Sequence, residues 1–345
     1  MNNIVVKKRD SNIELLRIIS MFLVLMTHAC YLSIGSPTKM EITASIGSAF
    51  TRAFCEGLTD VCVNVFILIS GWFGIKTKLS RLLELVFQVL FISLVVYLIL
   101  RILGLTTRMS LDGWVKWLFI KNNVYWFVRA YLVLYVFAPV LNAFISNSDR
   151  EHVKFFLVAF FVLVLIYGFY DSEGWFAGGY SPLLFMWLYV LARFMKLYPN
   201  KFVLLEKNNY FFIYVSTIVF AAIGSLALTF YVGKGETVLF LYSSPFILLS
   251  SICFFLFFTK ISFYSSFINW VSISCFAAYL VHCSPCFFRP YYVDLISGWY
   301  NTVPIWMFVF YTSSLILGIF IFSILLDKIR ILIWNSILKL WGRVA

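Results

Sequence analysis

The amino-acid sequence predicts an all-α integral membrane protein, one bundle of about ten transmembrane helices with no appended soluble domain, and three observations carry that prediction. Hydrophobic residues make up 62% of the 345 and charged residues only 12%, with a mean hydropathy of +0.94, so there is too little polar side chain to cover a water-soluble globule. Apolar runs of about twenty residues recur along the whole length, each long enough as a helix to cross a hydrocarbon core of about 30 Å. Helices also satisfy their own backbone groups in lipid, which makes them the default spanning element.

In chain order the apolar windows place helices near 11–31, 56–75, 82–104, 125–145, 153–170, 180–197, 208–232, 237–258, 270–287 and 305–327. The first run is long, contains Arg17 and His28 and lacks a small-residue cleavage pattern, so it reads as a retained helix rather than a signal peptide. Basic residues then assign the sides: Lys7, Lys8 and Arg9, Lys76, Lys78 and Arg81, Arg150 and Lys154, Arg193, Lys196, Lys201 and Lys207, Lys260, and Lys328, Arg330, Lys339 and Arg343 fall on one side of ten crossings. Arg108, Lys116 and Lys121 fall on the other. The excess makes the first side cytoplasmic and places both termini there, in a multi-pass cell-membrane protein. Beyond Asp327 the tail 328–345 mixes Ile331, Leu332, Trp334, Leu338 and Trp341 with basic residues and reads as an interfacial amphipathic helix.

The formal charge of +12 is scattered through short loops rather than gathered in a patch, which argues against a nucleic-acid partner. Seven cysteines fall mostly inside apolar runs; Cys283-x-x-Cys286 has no second pair, so no metal is expected and the thiols read as buried and unpaired. No internal repeat of the kind that builds inverted-repeat transporters is evident.

Ionisable residues inside a span are costly and need a partner or a task. The first helix holds Glu14, Arg17 and, eleven residues on, His28; at about 100° per residue the last two share a helix face about 16 Å apart along the axis. Ser11-x-x-Glu14 also reads as a capping box, a purely structural role for Glu14. His282 sits in the outer half of the ninth helix, at a depth comparable with His28, while His152 lies in the charged loop Asp149-Arg150-Glu151-His152 and reads as a solvated bystander.

Glu14-Leu15-Leu16-Arg17, with Arg17 followed by ten residues and then His28, resembles the family-three membrane acyltransferases. So do Val63-Asn64-Val65-Phe66-Ile67-Leu68-Ile69-Ser70-Gly71-Trp72, Tyr125-Trp126-Phe127-Val128-Arg129, and Cys275-Phe276-Ala277-Ala278-Tyr279-Leu280-Val281-His282. Lys78-x-x-Arg81 resembles the basic pair placed near the donor side, though from spacing alone it also fits ordinary membrane anchors. Where the family often carries Asp this chain has Asn64, and Asp60, four residues earlier on the same expected helix face, is the candidate replacement.

The resemblance implies transfer of an acyl group, usually acetyl from acetyl-CoA, to a hydroxyl of a surface carbohydrate or envelope glycan. It needs no tightly bound cofactor. Its partners would be an acyl-CoA donor, a carbohydrate acceptor and the lipid bilayer. On that reading His28 is the general base, Asp60 orients it or shares its proton, and His282 positions the acceptor, stabilises an oxyanion or relays an intermediate. Arg17, Glu14, Lys78 and Arg81 hold the donor, and Asn64, Ser70, Trp126, Arg129 and Tyr279 line the substrate cavity. Direct transfer and an acyl-histidine intermediate both remain open. The rival reading is a transporter or flippase for a glycan precursor or small anion, with Arg17, His28 and Arg129 lining a path; such a protein has no use for a CoA site.

Overall fold

The computed structural model describes residues 10–118, 125–170, 174–233 and 238–341, so Lys7, Lys8, Arg9, Lys121 and Arg343 lie outside the described residues. Among the described residues there is no strand. The helices are α1 (Ser11–Thr27, continued by a π-helical turn His28–Leu32), α2 (Lys39–Ala44), α3 (Ile46–Asp60), α4 (Cys62–Phe73), α5 (Leu79–Ile102), α6 (Leu111–Leu118), α7 (Trp126–Asn147) and α8 (Arg150–Val164, with a π-helical end Leu165–Tyr170). They continue as α9 (Pro182–Leu197), α10 (Lys207–Val232), α11 (Pro245–Thr259), α12 (Ser266–Ser272), α13 (Phe276–His282), α14 (Asp294–Thr302) and α15 (Ile305–Trp341).

Eight of the described helical stretches are long and apolar enough to cross a membrane. The other two expected crossings fall on shorter elements. The one at 180–197 is α9, of 16 residues. The one at 270–287 is the pair α12 and α13, interrupted at residues 273–275. The span expected at 56–75 starts earlier and is broken at Val61, so Asp60 ends α3 and Asn64 belongs to α4; the shared helix face expected for them is not one continuous helix. The break expected at Asp327 is absent, because α15 runs for 37 residues straight through it.

Hydrogen bonds between helices give the bundle its register, since lipid supplies no hydrophobic drive for helices to associate. At one end Ser11 Oγ donates to Asn269 Oδ1 (3.0 Å) and Asn12 Nδ2 to the Phe258 carbonyl (2.9 Å), which fixes the start of α1 against α11 and α12. Ser11 is thereby drawn away from Glu14, and the capping box read from the sequence is not formed: α1 has Asp10 at its N-cap and no side-chain cap. At that same end the Tyr189 hydroxyl receives Ile75 N–H (2.8 Å) and donates to Asn142 Oδ1 (2.8 Å), tying α4, α7 and α9 together. Toward the other end the Tyr125 hydroxyl donates to Leu280 O (2.7 Å) and the Tyr292 hydroxyl to Leu25 O (2.6 Å).

Gly71, the glycine of the Ser-Gly-aromatic segment, has a packing role. A Cβ there would stand 2.4 Å from the Tyr189 carbonyl oxygen and 2.8 Å from its Cα, so only glycine lets α4 and α9 approach this closely. Gly71→Ala is expected to cost about 1–3 kcal/mol through overpacking, read as a lower unfolding midpoint in detergent. An unchanged midpoint would mean that α9 yields freely.

Candidate active site

One face of α1 organises the site. Arg17, Met21, Val24 and His28 follow one another at helical spacing, and all four line internal cavities. The first cavity, about 330 Å³, is bordered by Glu14, Arg17, Ser70, Tyr131 and Ser272, toward the end of the bundle where α1 begins. The second, about 30 Å³, is bordered by Thr27, His28, Trp126, Tyr242 and Tyr279. Phe66, Phe127 and Phe276 line both, so three rings from α4, α7 and α13 form the partition between them. The expected common face of Arg17 and His28 is present, with one residue opening on each side of that partition.

In the Arg17 cavity, Glu14 Oε2 accepts from Ser272 Oγ at 2.6 Å and stands 3.9 Å from Arg17 Nε. The Arg17 side chain as a whole is 40% exposed, while its Nε is buried and, at 3.9 Å, beyond hydrogen-bond reach of the Glu14 carboxylate. Ser70 Oγ donates back to the Phe66 carbonyl (2.9 Å) on the same wall. Lys78 and Arg81 do not line this cavity. Lys78 caps the start of α5 with its backbone held by the Tyr135 hydroxyl, and both side chains are exposed. Leu85, one turn beyond Arg81 on α5, is part of the cavity wall.

His28 begins the π-helical turn that ends α1, a loosened geometry frequent at functional positions. Its Nδ1 lies 2.8 Å from His282 Nε2, and His282 Nδ1 lies 2.7 Å from the Ala278 carbonyl. A carbonyl only accepts, so His282 Nδ1 carries the proton that donates to it. In the neutral imidazole Nε2 is then an acceptor. The bond between the rings therefore takes its proton from His28 Nδ1–H, and His28 Nε2 keeps a free lone pair for the cavity. The chain of bonds thus fixes a tautomer suited to accepting a proton, an arrangement in which one imidazole holds another.

The ring bonded to His28 is thus His282. Asp60 is buried beside Thr27 at the end of α3, where Glu56, one turn earlier and also buried, is its acidic neighbour. Asn64 is also withdrawn from the cavities, donating from Nδ2 to the Tyr242 carbonyl (3.0 Å). Arg129, expected to face a cavity, is exposed and is not among the residues lining either one. Trp126 and Tyr279 line the cavity that His28 also lines. Trp126 packs with Tyr180 and Tyr242 at ring separations of 4.5 and 5.8 Å, and Tyr279 lies edge-on to His282 at 6.0 Å. His152 is exposed, with its ring 2.8 Å from Asp149 Oδ2.

Sequence reasoning missed the partition, the Glu56 carboxyl and Cys283, whose sulfur lies 3.3 Å from His282 Nε2. Phe66, Phe127 and Phe276 each stood inside a recognised segment. Nothing in their spacing says that three apolar rings from three helices meet.

The class that fold and site define is a polytopic helical membrane protein with a histidine pair at an internal cavity. The profile of the acyltransferase-domain family, acyltransferase family 3, matches residues 10–326, and the chain belongs to that family of membrane acyltransferases. No curated protein and no solved structure matches it.

Proposed function

We propose that this acyltransferase moves acetyl from cytoplasmic acetyl-CoA to a hydroxyl of a surface polysaccharide or envelope glycan. The observation that carries the reading is the pair of cavities on one face of α1, with a guanidinium lining one, an imidazole lining the other and three phenyl rings lining both. Guanidinium binds oxyanions and amide carbonyls through several donors at once, which suits the polar arm of a CoA thioester. The terminal acyl group would reach His28 past the phenyl partition, while the CoA head stays at the end of the bundle that carries Lys78 and Arg81. The acceptor would arrive from the opposite end, so the acyl group crosses the membrane while the cofactor does not.

In the chemical step His28 Nε2 removes the proton of the acceptor hydroxyl as its oxygen attacks the thioester carbonyl carbon. The tetrahedral intermediate collapses with cleavage of the C–S bond, and the departing CoA thiolate takes the proton back from His28 Nε2–H. The products are the ester and free CoA. His282 is a positioning residue here: it accepts from His28 Nδ1–H throughout and stabilises the imidazolium that forms transiently.

Transfer of labelled acetyl from acetyl-CoA to a soluble oligosaccharide, assayed with the protein in nanodiscs, tests the function. Arg17→Ala is expected to raise the KM for acetyl-CoA about tenfold to a hundredfold, the loss of a charge-assisted contact of about 1.5–3 kcal/mol. An unchanged donor KM would remove Arg17 from the donor site.

A further inference from the structure

We propose that His28, His282 and Cys283 form a binding site for a thiophilic divalent cation of the zinc type, and that metal bound there switches the acyltransferase off. The binding half stands on geometry alone; the switching half rests on the reading of His28 as the base.

Three ligand atoms converge. His28 Nδ1 and His282 Nε2 are 2.8 Å apart, and Cys283 Sγ lies 3.3 Å from the latter and 3.7 Å from the former. With Zn–N of about 2.05 Å and Zn–S of about 2.3 Å, these separations give angles at the metal of about 85°, about 100° and about 115°. Such a trigonal pyramid leaves a fourth position open, as tetrahedral zinc requires. The imidazoles need only swing until their lone pairs meet at the apex instead of along the line joining the rings. The outer bond is already present, because His282 donates its other ring N–H to the Ala278 carbonyl, the contact that typically orients a metal-bound histidine. Two imidazoles and a thiolate select zinc, cobalt or copper over magnesium and calcium, which take oxygen ligands. His282 and Cys283 are fully buried, but His28 lines a cavity, and the cation approaches through it.

Coordination changes the proton inventory. Cys283 releases its thiol proton to solvent and binds as thiolate. His28 Nδ1 exchanges its proton for the metal, and the single proton of the neutral ring then sits on Nε2. The nitrogen facing the cavity becomes a donor, with no lone pair left to take a hydroxyl proton. Turnover therefore stops while the donor cavity is untouched, and added acetyl-CoA does not restore it.

The test uses chelator-washed full-length protein in nanodiscs, titrated with Co²⁺ alone and Zn²⁺ alone. The expected result is one metal per chain, with a thiolate-to-cobalt charge-transfer band that Zn²⁺ displaces. Cys283→Ser and Cys283→Ala abolish the band and Cys286→Ser keeps it. Zinc lowers wild-type turnover more than tenfold at constant donor KM, whereas Cys283→Ser, measured against its own zinc-free rate, needs at least tenfold more zinc for the same fractional loss. Absence of the band, or the same band in Cys283→Ser, overturns the site. Inhibition that ignores Cys283 overturns the switch. A Cys283-dependent band in a protein that transfers no acetyl upholds the site and removes instead the acetyl-transfer reading.

Discussion

Replacing His28 by alanine is expected to lower acetyl turnover by about 10²–10⁴-fold, the range removed with a positioned general base, while the Kd for acetyl-CoA stays within twofold of wild type. The two quantities separate because Arg17 and its cavity lie across the Phe66, Phe127 and Phe276 partition from His28. His282→Ala is expected to act on the same step more weakly, lowering kcat by about a hundredfold, as a misplaced catalytic group does, again at constant donor KM. His282→Gln, whose side-chain oxygen sits near the position of Nε2 and can accept from His28 Nδ1–H, should recover part of that loss. A merely structural role for His282 predicts instead that kcat and donor binding fall together and that glutamine rescues neither. Steady-state kinetics and equilibrium binding on the four proteins decide between these outcomes.

The second large effect concerns stability. Arg330 and Asp327, side chains 3% and 0% exposed, form a bidentate pair on α15 with N···O distances of 2.9 and 3.1 Å. Gln88 Nε2 adds a bond to Asp327 Oδ1 at 2.8 Å, and Arg330 also reaches Glu84 Oε1 at 3.0 Å, so the network fastens α15 to α5. Arg330→Ala leaves the Asp327 carboxylate buried without its counter-charge and is expected to cost about 3–5 kcal/mol. Glu84 is 43% exposed, and Glu84→Gln is expected to cost only about 0–1 kcal/mol. Unfolding in detergent measures both; equal losses for the two variants would show that the buried pair is not what holds α15.

These same residues mark what the sequence could and could not disclose. Composition and run length predict an all-helical membrane bundle because lipid leaves helices few competitors, and that architecture is observed. Arg17 and His28 were legible because an ionisable side chain in a span is costly enough to need a reason, and helical spacing alone put them on one face. Their relation to His282 was not legible, since a contact across 254 positions leaves no trace in spacing. Asp60, read as the natural partner of His28, is buried beside Thr27, a wall residue of the His28 cavity, while the ring bonded to His28 is His282. Ser11 and Glu14 matched a capping pattern, but tertiary bonds to Asn269 and Ser272 outcompeted the local ones. The tail beyond Asp327 read as a separate interfacial helix because charges interrupt the apolar run; pairing of Asp327 with Arg330 and Gln88 neutralises that interruption and lets α15 continue.

The acyl-transfer reading couples a CoA-thioester cavity to an imidazole base across the Phe66, Phe127 and Phe276 rings. It is tested most directly by purified wild-type protein in nanodiscs, incubated with labelled acetyl-CoA and an oligosaccharide bearing free hydroxyls. The account predicts saturable acetyl-CoA binding and release of one free CoA for each ester formed. An intact protein that binds no acetyl-CoA, yet moves a glycan precursor or anion across a sealed vesicle, would contradict it.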